Sequence, residues 1–173
     1  MRAPITVVTL VALTSSALGC GATVEVPGIC FTQANINVPG APAGASAQTP
    51  PVSFTVDVTN QVPLLRINAS NTDLRIQDVT ITPVRTSPDL SGIRTAKLQV
   101  TASGAAVDVV QYERNPAAQA PPAIVLGGDT VNIAPYLDNG RANLSFTLSG
   151  QPPRTRWTAD VKTCLRGETA VSP

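Results

Sequence analysis

Three cysteines hold most of the chemistry open to this chain, because a thiol can be acylated, oxidised to a disulfide, used as a nucleophile or bound to a metal. They stand at Cys20, Cys30 and Cys164. There is no histidine, which excludes Cys-His and Ser-His-Asp nucleophilic sites and every histidine-based metal site. The lysines are Lys97 and Lys162, each within an alternating strand pattern among Thr and Gln, with nothing to mark a nucleophilic partner. The 11 carboxylates are scattered singly, mostly at turns, whereas glycoside hydrolysis needs a facing pair. Asp129, Asp138 and Asn139 offer loop oxygens of the kind calcium takes, but single acids near glycine more often build turns. These residue types point to no catalytic group, no metal and no cofactor.

Cys20 is set apart by what precedes it. Residues 1–19 carry one charge, at Arg2, then the apolar run from Ile5 to Leu13, then small and polar residues ending in Ala17-Leu18-Gly19. A membrane-spanning helix needs about 20 apolar residues, so this shorter run suits the core of a secretory signal peptide. With Gly19-Cys20 at its end, the segment resembles the leader of bacterial lipoproteins, the apolar residue usual three before the cysteine standing one place later, at Leu18. The resemblance covers residues 1–20. It implies cleavage before Cys20 and a diacylglycerol on its thiol; the alternative, an ordinary signal peptide cut nearby, leaves Cys20 as a plain thiol.

On the lipoprotein reading, acylation takes the odd cysteine and leaves Cys30 and Cys164 to pair, as suits an oxidising compartment. The expected address is the bacterial cell envelope, at the outer membrane, on its periplasmic or surface face. The protein would be held there by its lipid, since no later stretch approaches membrane-spanning length.

Removal of the leader leaves roughly 150 residues, about one domain. Hydrophobic residues make up 43% of the chain and aromatics only 3%, so the core must be built from Val, Ile, Leu and Ala, the first two of which favour strands. With Arg2 in the leader, the remainder balances 11 acidic residues against 11 basic ones. No run of Lys/Arg is present along the sequence, which argues against nucleic acid as a partner and against electrostatic docking to anionic lipid.

Period-2 alternation marks strands at residues 53–58, 74–82, 96–101, 107–113, 143–149 and 155–165, with shorter pieces at 23–26, 29–38, 64–68, 124–126 and 130–133. Residues 96–101 and 107–113 read as a hairpin about Ser103-Gly104, and Asp138-Asn139-Gly140 as a tight turn. No stretch has helical periodicity. The fold expected is all-β, a single antiparallel sandwich of immunoglobulin or fibronectin-III type, with first and last strands joined through Cys30 and Cys164. The expected division is a signal peptide over 1–19, a short membrane tether over 20–29, and a domain over 30–173 with a flexible Pro-rich internal loop at 39–52.

Tyr112, Tyr136 and Arg141 are the candidate recognition residues, because amphipathic aromatics and arginine dominate binding hot spots. Trp157, on the strand that ends in Cys164, is assigned to the core. The Pro-rich segments 39–52 and 115–122 and the turn around 136–141 are the candidate recognition loops. The expected function is a non-enzymatic binding or structural module at the envelope, partnered by the membrane through its lipid and by another envelope protein or polymer. The competing readings are an accessory subunit of an envelope assembly machine and an enzyme acting on envelope polymers.

Overall fold

The computed structural model describes residues 22–43, 47–58, 72–85, 87–102, 104–115, 119–128 and 131–171. The leader, Cys20, the strand expected at 64–68, and Asp129 lie outside them. The protein is all-β and antiparallel, as its alternation predicts. Its strands are β1 (Ala22–Val38), β2 (Ala47–Gln48), β3 (Val52–Asp57), β4 (Thr72–Val84), β5 (Ile93–Ala102), β6 (Ala105–Glu113), β7 (Ile124–Gly127), β8 (Arg141–Gly150) and β9 (Trp157–Val171). They form one hydrogen-bonded path, β1-β9-β4-β7-β6-β5-β8-β2, with β3 also on β8.

The path has two halves, β1-β9-β4-β7 and β6-β5-β8 with β2 and β3. A single pair, Gln111 with Gly127, joins them. Both halves contribute to one core, which contains Leu74, Ile76, Ile81 and Val161 from the first and Phe54, Leu98, Leu144, Phe146 and Leu148 from the second. Alternation places these residues on one face of each strand. Burial of each large apolar side chain contributes about 1.5–3 kcal/mol relative to exposure. Phe54 and Phe146 stand tilted, ring centroids 6.3 Å apart, and Trp157 is buried, as expected.

Bulges correct the phase of this pattern. Ile76 and Val79 are both buried although three residues apart, because the β4 register against β9 shifts between Ile76 and Asp78, inserting one residue and returning Val79 to the core face. On β1, shifts occur between Val26 and Ile29 and between Gln33 and Ile36. In the second, Asn35 takes φ 60° and its backbone N–H donates to Asp160 Oδ1 at 2.8 Å.

Cys30 and Cys164 are bonded and stand directly opposite each other in the β1–β9 register. Their inward neighbours on β1, Ile29 and Phe31, pack against the core, so the bond lies on the outer face, with Cys30 exposed and Cys164 buried. It joins the first strand to the last, as expected for these two cysteines.

Two expectations are corrected. The stretch expected to be a tether is strand from Ala22 onward, paired with Gly167–Val171 at one end and Leu165 at Ile29. The reason is that β9 runs six residues past Leu165, so the backbone of 22–29 has a partner to satisfy its hydrogen bonds. Of the segment 39–52, expected to be a flexible loop, the described residues 39–43 and 47–52 are strapped down. Ala41 N–H donates to the Pro153 carbonyl at 3.0 Å and Thr49 N–H to the Leu148 carbonyl at 2.9 Å, while the Leu148 N–H donates to Thr49 Oγ1 at 3.0 Å. Ala41, Ala47 and Thr49 are buried; their small side chains let the strap lie close to β8.

Candidate functional site

Strand register gives the domain two ends. At one lie Ala22, opposite Val171, Thr72, opposite Thr169, and Asp57, opposite Arg141. At the other lie Val38, opposite Trp157, Val84, opposite Thr158, and Gly150, opposite both Ala47 and Ile93. The 17 residues of β1 span on the order of 50 Å between the ends, and the 10 residues of β8 on the order of 30 Å, at about 3.3 Å per residue.

The sequence-predicted recognition residues divide between these ends. Tyr136 sits on a 3-10 turn (Ala134–Tyr136) entered through Pro135, half-buried against the core. Asn132 holds that turn in place, its Oδ1 accepting from Leu74 N–H at 2.9 Å and Ala134 N–H at 3.0 Å. Arg141 opens β8 after a turn in which Asn139 and Gly140 both have positive φ, the primed geometry that Asn-Gly favours. Its Nε lies 3.3 Å from Asp57 Oδ2. Tyr112, also half-buried, is opposite Ala96, which is opposite Leu148. It is therefore seven residues along β8 from Arg141, roughly 23 Å at strand rise. Tyr136 and Arg141 share the Ala22 end and Tyr112 does not, so the three form no single surface. Lys97 is taken up by Asp108, with Nζ to Oδ2 at 3.1 Å.

A concave site instead lies at the Gly150 end. A cleft of about 760 Å³ is lined by Ser91, Gly92, Arg94, Thr95, Glu113, Arg114 and Gln151. A second hollow of about 560 Å³ adjoins it at Gln151 and is lined by Pro42, Ala47, Asp89, Gln151, Pro152, Pro153 and Arg154. The floor is built by backbone. Gln151 N–H donates to the Gly92 carbonyl at 2.7 Å, and Arg114 N–H to the Arg94 carbonyl at 2.8 Å. Gly150 has φ +109°, and a Cβ there would stand 2.7 Å from the Gly92 oxygen and 2.8 Å from the Arg94 nitrogen, so only glycine fits. At this point the β5–β8 register shifts between Ile93 and Thr95. Such a bulge re-aims a side chain, and the residue it displaces is Arg94.

The charge of this end is distinctive for a chain that is balanced overall. The fold gathers Arg85, Arg94, Arg114, Arg154 and Arg156 here, against Asp89 and Glu113. The ion pairs Asp73–Arg75 and Asp57–Arg141 lie toward the other end, and Lys97–Asp108 lies between. Among the described residues, Arg94 and Arg154 make no ion pair. Asp89 accepts a hydrogen bond from Ser91 N–H at 2.8 Å; the Ser91 hydroxyl, and next that N–H, hold its carboxyl below the usual carboxylate range. A guanidinium presents paired donors that match a carboxylate or phosphate, and Ser91, Thr95 and Gln151 add neutral hydrogen-bonding groups. The arrangement can hold an anion. Sequence reading missed it because its arginines come from four separated segments and no run of basic residues announces them.

No protein-family model matches the chain, and no curated protein matches it. Among solved structures, the chain resembles one from Desmodium yellow mottle tymovirus, at TM-score 0.36 and 14% identity, covering 94% of this chain and 95% of that one. It resembles the decameric BFDV capsid protein at TM-score 0.36 and 14% identity, covering 86% and 98%. It also resembles the extra small virus particle of the prawn Macrobrachium rosenbergii, at TM-score 0.27 and 12% identity, covering 99% and 94%. Likeness at these scores carries no argument about this chain.

Proposed function

We propose that the chain is an exported, lipid-anchored protein of the bacterial cell envelope, acting as a non-catalytic binding module that presents its arginine-lined cleft away from the membrane. The observation that carries this reading is the bond between Cys30 and Cys164. It leaves Cys20 as the one cysteine outside the disulfide, at the end of a leader-like segment and two residues before β1 begins. A disulfide of this kind persists in an oxidising compartment, and an acyl chain on Cys20 supplies a membrane attachment that spans nothing.

So short a link fixes the geometry of attachment. A lipid on Cys20 brings the Ala22 end of the domain to the membrane surface, and the cleft then stands at the opposite end, beyond the roughly 30 Å length of β8 at strand rise. The test is fractionation of cells that carry Cys20→Ser. The expected result is either release of the domain in soluble form or a precursor whose processing is blocked. Retention of a fully processed Ser variant at the wild-type level in the membrane overturns the reading.

A further inference from the structure

We infer that the cleft is the docking site for an acidic peptide segment of a second envelope protein. Its outward position rests on the lipid-anchored reading; its chemistry does not. Charge complementarity and the nature of the walls both favour such a ligand. Arg94 and Arg114 line the hollow on one side of Gln151 and Arg154 the hollow on the other, giving cationic points in two hollows that share Gln151. The lining sets three arginines, Arg94, Arg114 and Arg154, against two acids, Asp89 and Glu113, and among the described residues Arg94 and Arg154 make no ion pair.

The walls narrow the choice among anions. No aromatic side chain lines either hollow, and sugar rings are held largely by stacking on such side chains. Nor does the cleft carry a large exposed hydrophobic residue: Val125, the one so exposed among the described residues, is on β7. The described lining, guanidinium groups with hydroxyls, an amide, glycine backbone and the prolines Pro42, Pro152 and Pro153, suits an extended chain that offers carboxylates and peptide hydrogen bonds.

The experiment is anisotropy titration of a labelled hexaglutamate peptide with the mature protein in detergent. Hexaglutamine, a galacturonate hexamer and a thymidylate hexamer serve as comparators. The expected result is saturable binding of hexaglutamate that weakens with salt and is absent for hexaglutamine. The double variant Arg94→Glu/Arg154→Glu should lose at least tenfold in affinity, at an unchanged thermal midpoint. Lys162→Glu, on exposed β9 surface away from the cleft, should bind as wild type. Absence of hexaglutamate binding, tighter binding of any of the three comparators, or equal loss from Lys162→Glu overturns the proposal. The intact mass of the same sample reports the lipid separately, so failure of the anchor and failure of the cleft are told apart.

Discussion

Removal of the Cys30–Cys164 bond, by Cys30→Ser with Cys164→Ala, should destabilise the protein severely and loosen β1 before the rest. The two residues are 134 apart in sequence, and for a closed loop of that length the chain-entropy model gives about 5 kcal/mol. Native domains hold only about 5–15 kcal/mol in total, so the loss is a third of the stability or more. The local effect follows from the sheet order. β1 stands at the end of the path, with β9 as its ladder partner. Its Ile29, Phe31 and Ile36 are only half-buried against the core, and Val38 alone among its described side chains is fully buried. Once unstapled, β1 has the weakest hold of any long strand here. Urea unfolding of the double variant should show the lower midpoint, and hydrogen exchange should accelerate at residues 29–36 more than in β5 and β8. A variant within about 1 kcal/mol of wild type, against that 5 kcal/mol estimate, or exchange that rises in β5 and β8 but not β1, would refute this reasoning.

Two further outcomes are expected. Gly150→Ala forces a non-glycine residue to φ +109° against the Gly92 oxygen, a strain of about 1–3 kcal/mol; a thermal melt should show the loss, and an unchanged melting point would mean that the cleft floor is not built as described. Acidification through the range near pH 4 should lower stability. The carboxyls of Asp73, bonded to Arg75, and of Asp108, bonded first to Gln99 and then to Lys97, are held below their ordinary values. Their contribution is present above the unfolded-state pKa and lost as pH falls through the folded one. Both are well exposed, so screening keeps each below about 1 kcal/mol. A urea midpoint that rises from about pH 5 to about pH 3 would contradict this sign.

The parts of the fold that could be read in the sequence are those where a buried face imposes a period. Phe54 and Val56, Leu98 and Val100, and Leu144, Phe146 and Leu148 alternate because every second residue enters the core, and Asn139-Gly140 announces its turn because both positions need positive φ. The disulfide followed from cysteine parity only together with the lipoprotein-like leader, which sets Cys20 apart. Other features depend on partners distant in sequence. Pro27-Gly28 resembles a break between two strands, yet it falls where the register shifts within one long edge strand. The 39–52 segment has the composition of a linker, and only the proximity of β8 turns its small residues into a buried strap. The arginine cleft was the least legible, since a bulge at Arg94 and the conjunction of residues 85, 94, 114, 154 and 156 are properties of the register and leave no local pattern.

The most direct test of the central claim is the intact mass of the protein purified from native membranes, read with and without base treatment that cleaves ester-linked acyl chains. The account predicts a chain beginning at Cys20, heavier than its sequence by a diacylglyceryl group, with Cys30 and Cys164 disulfide-bonded and no thiol free. An unmodified amino terminus, or a free thiol at Cys20, would contradict it.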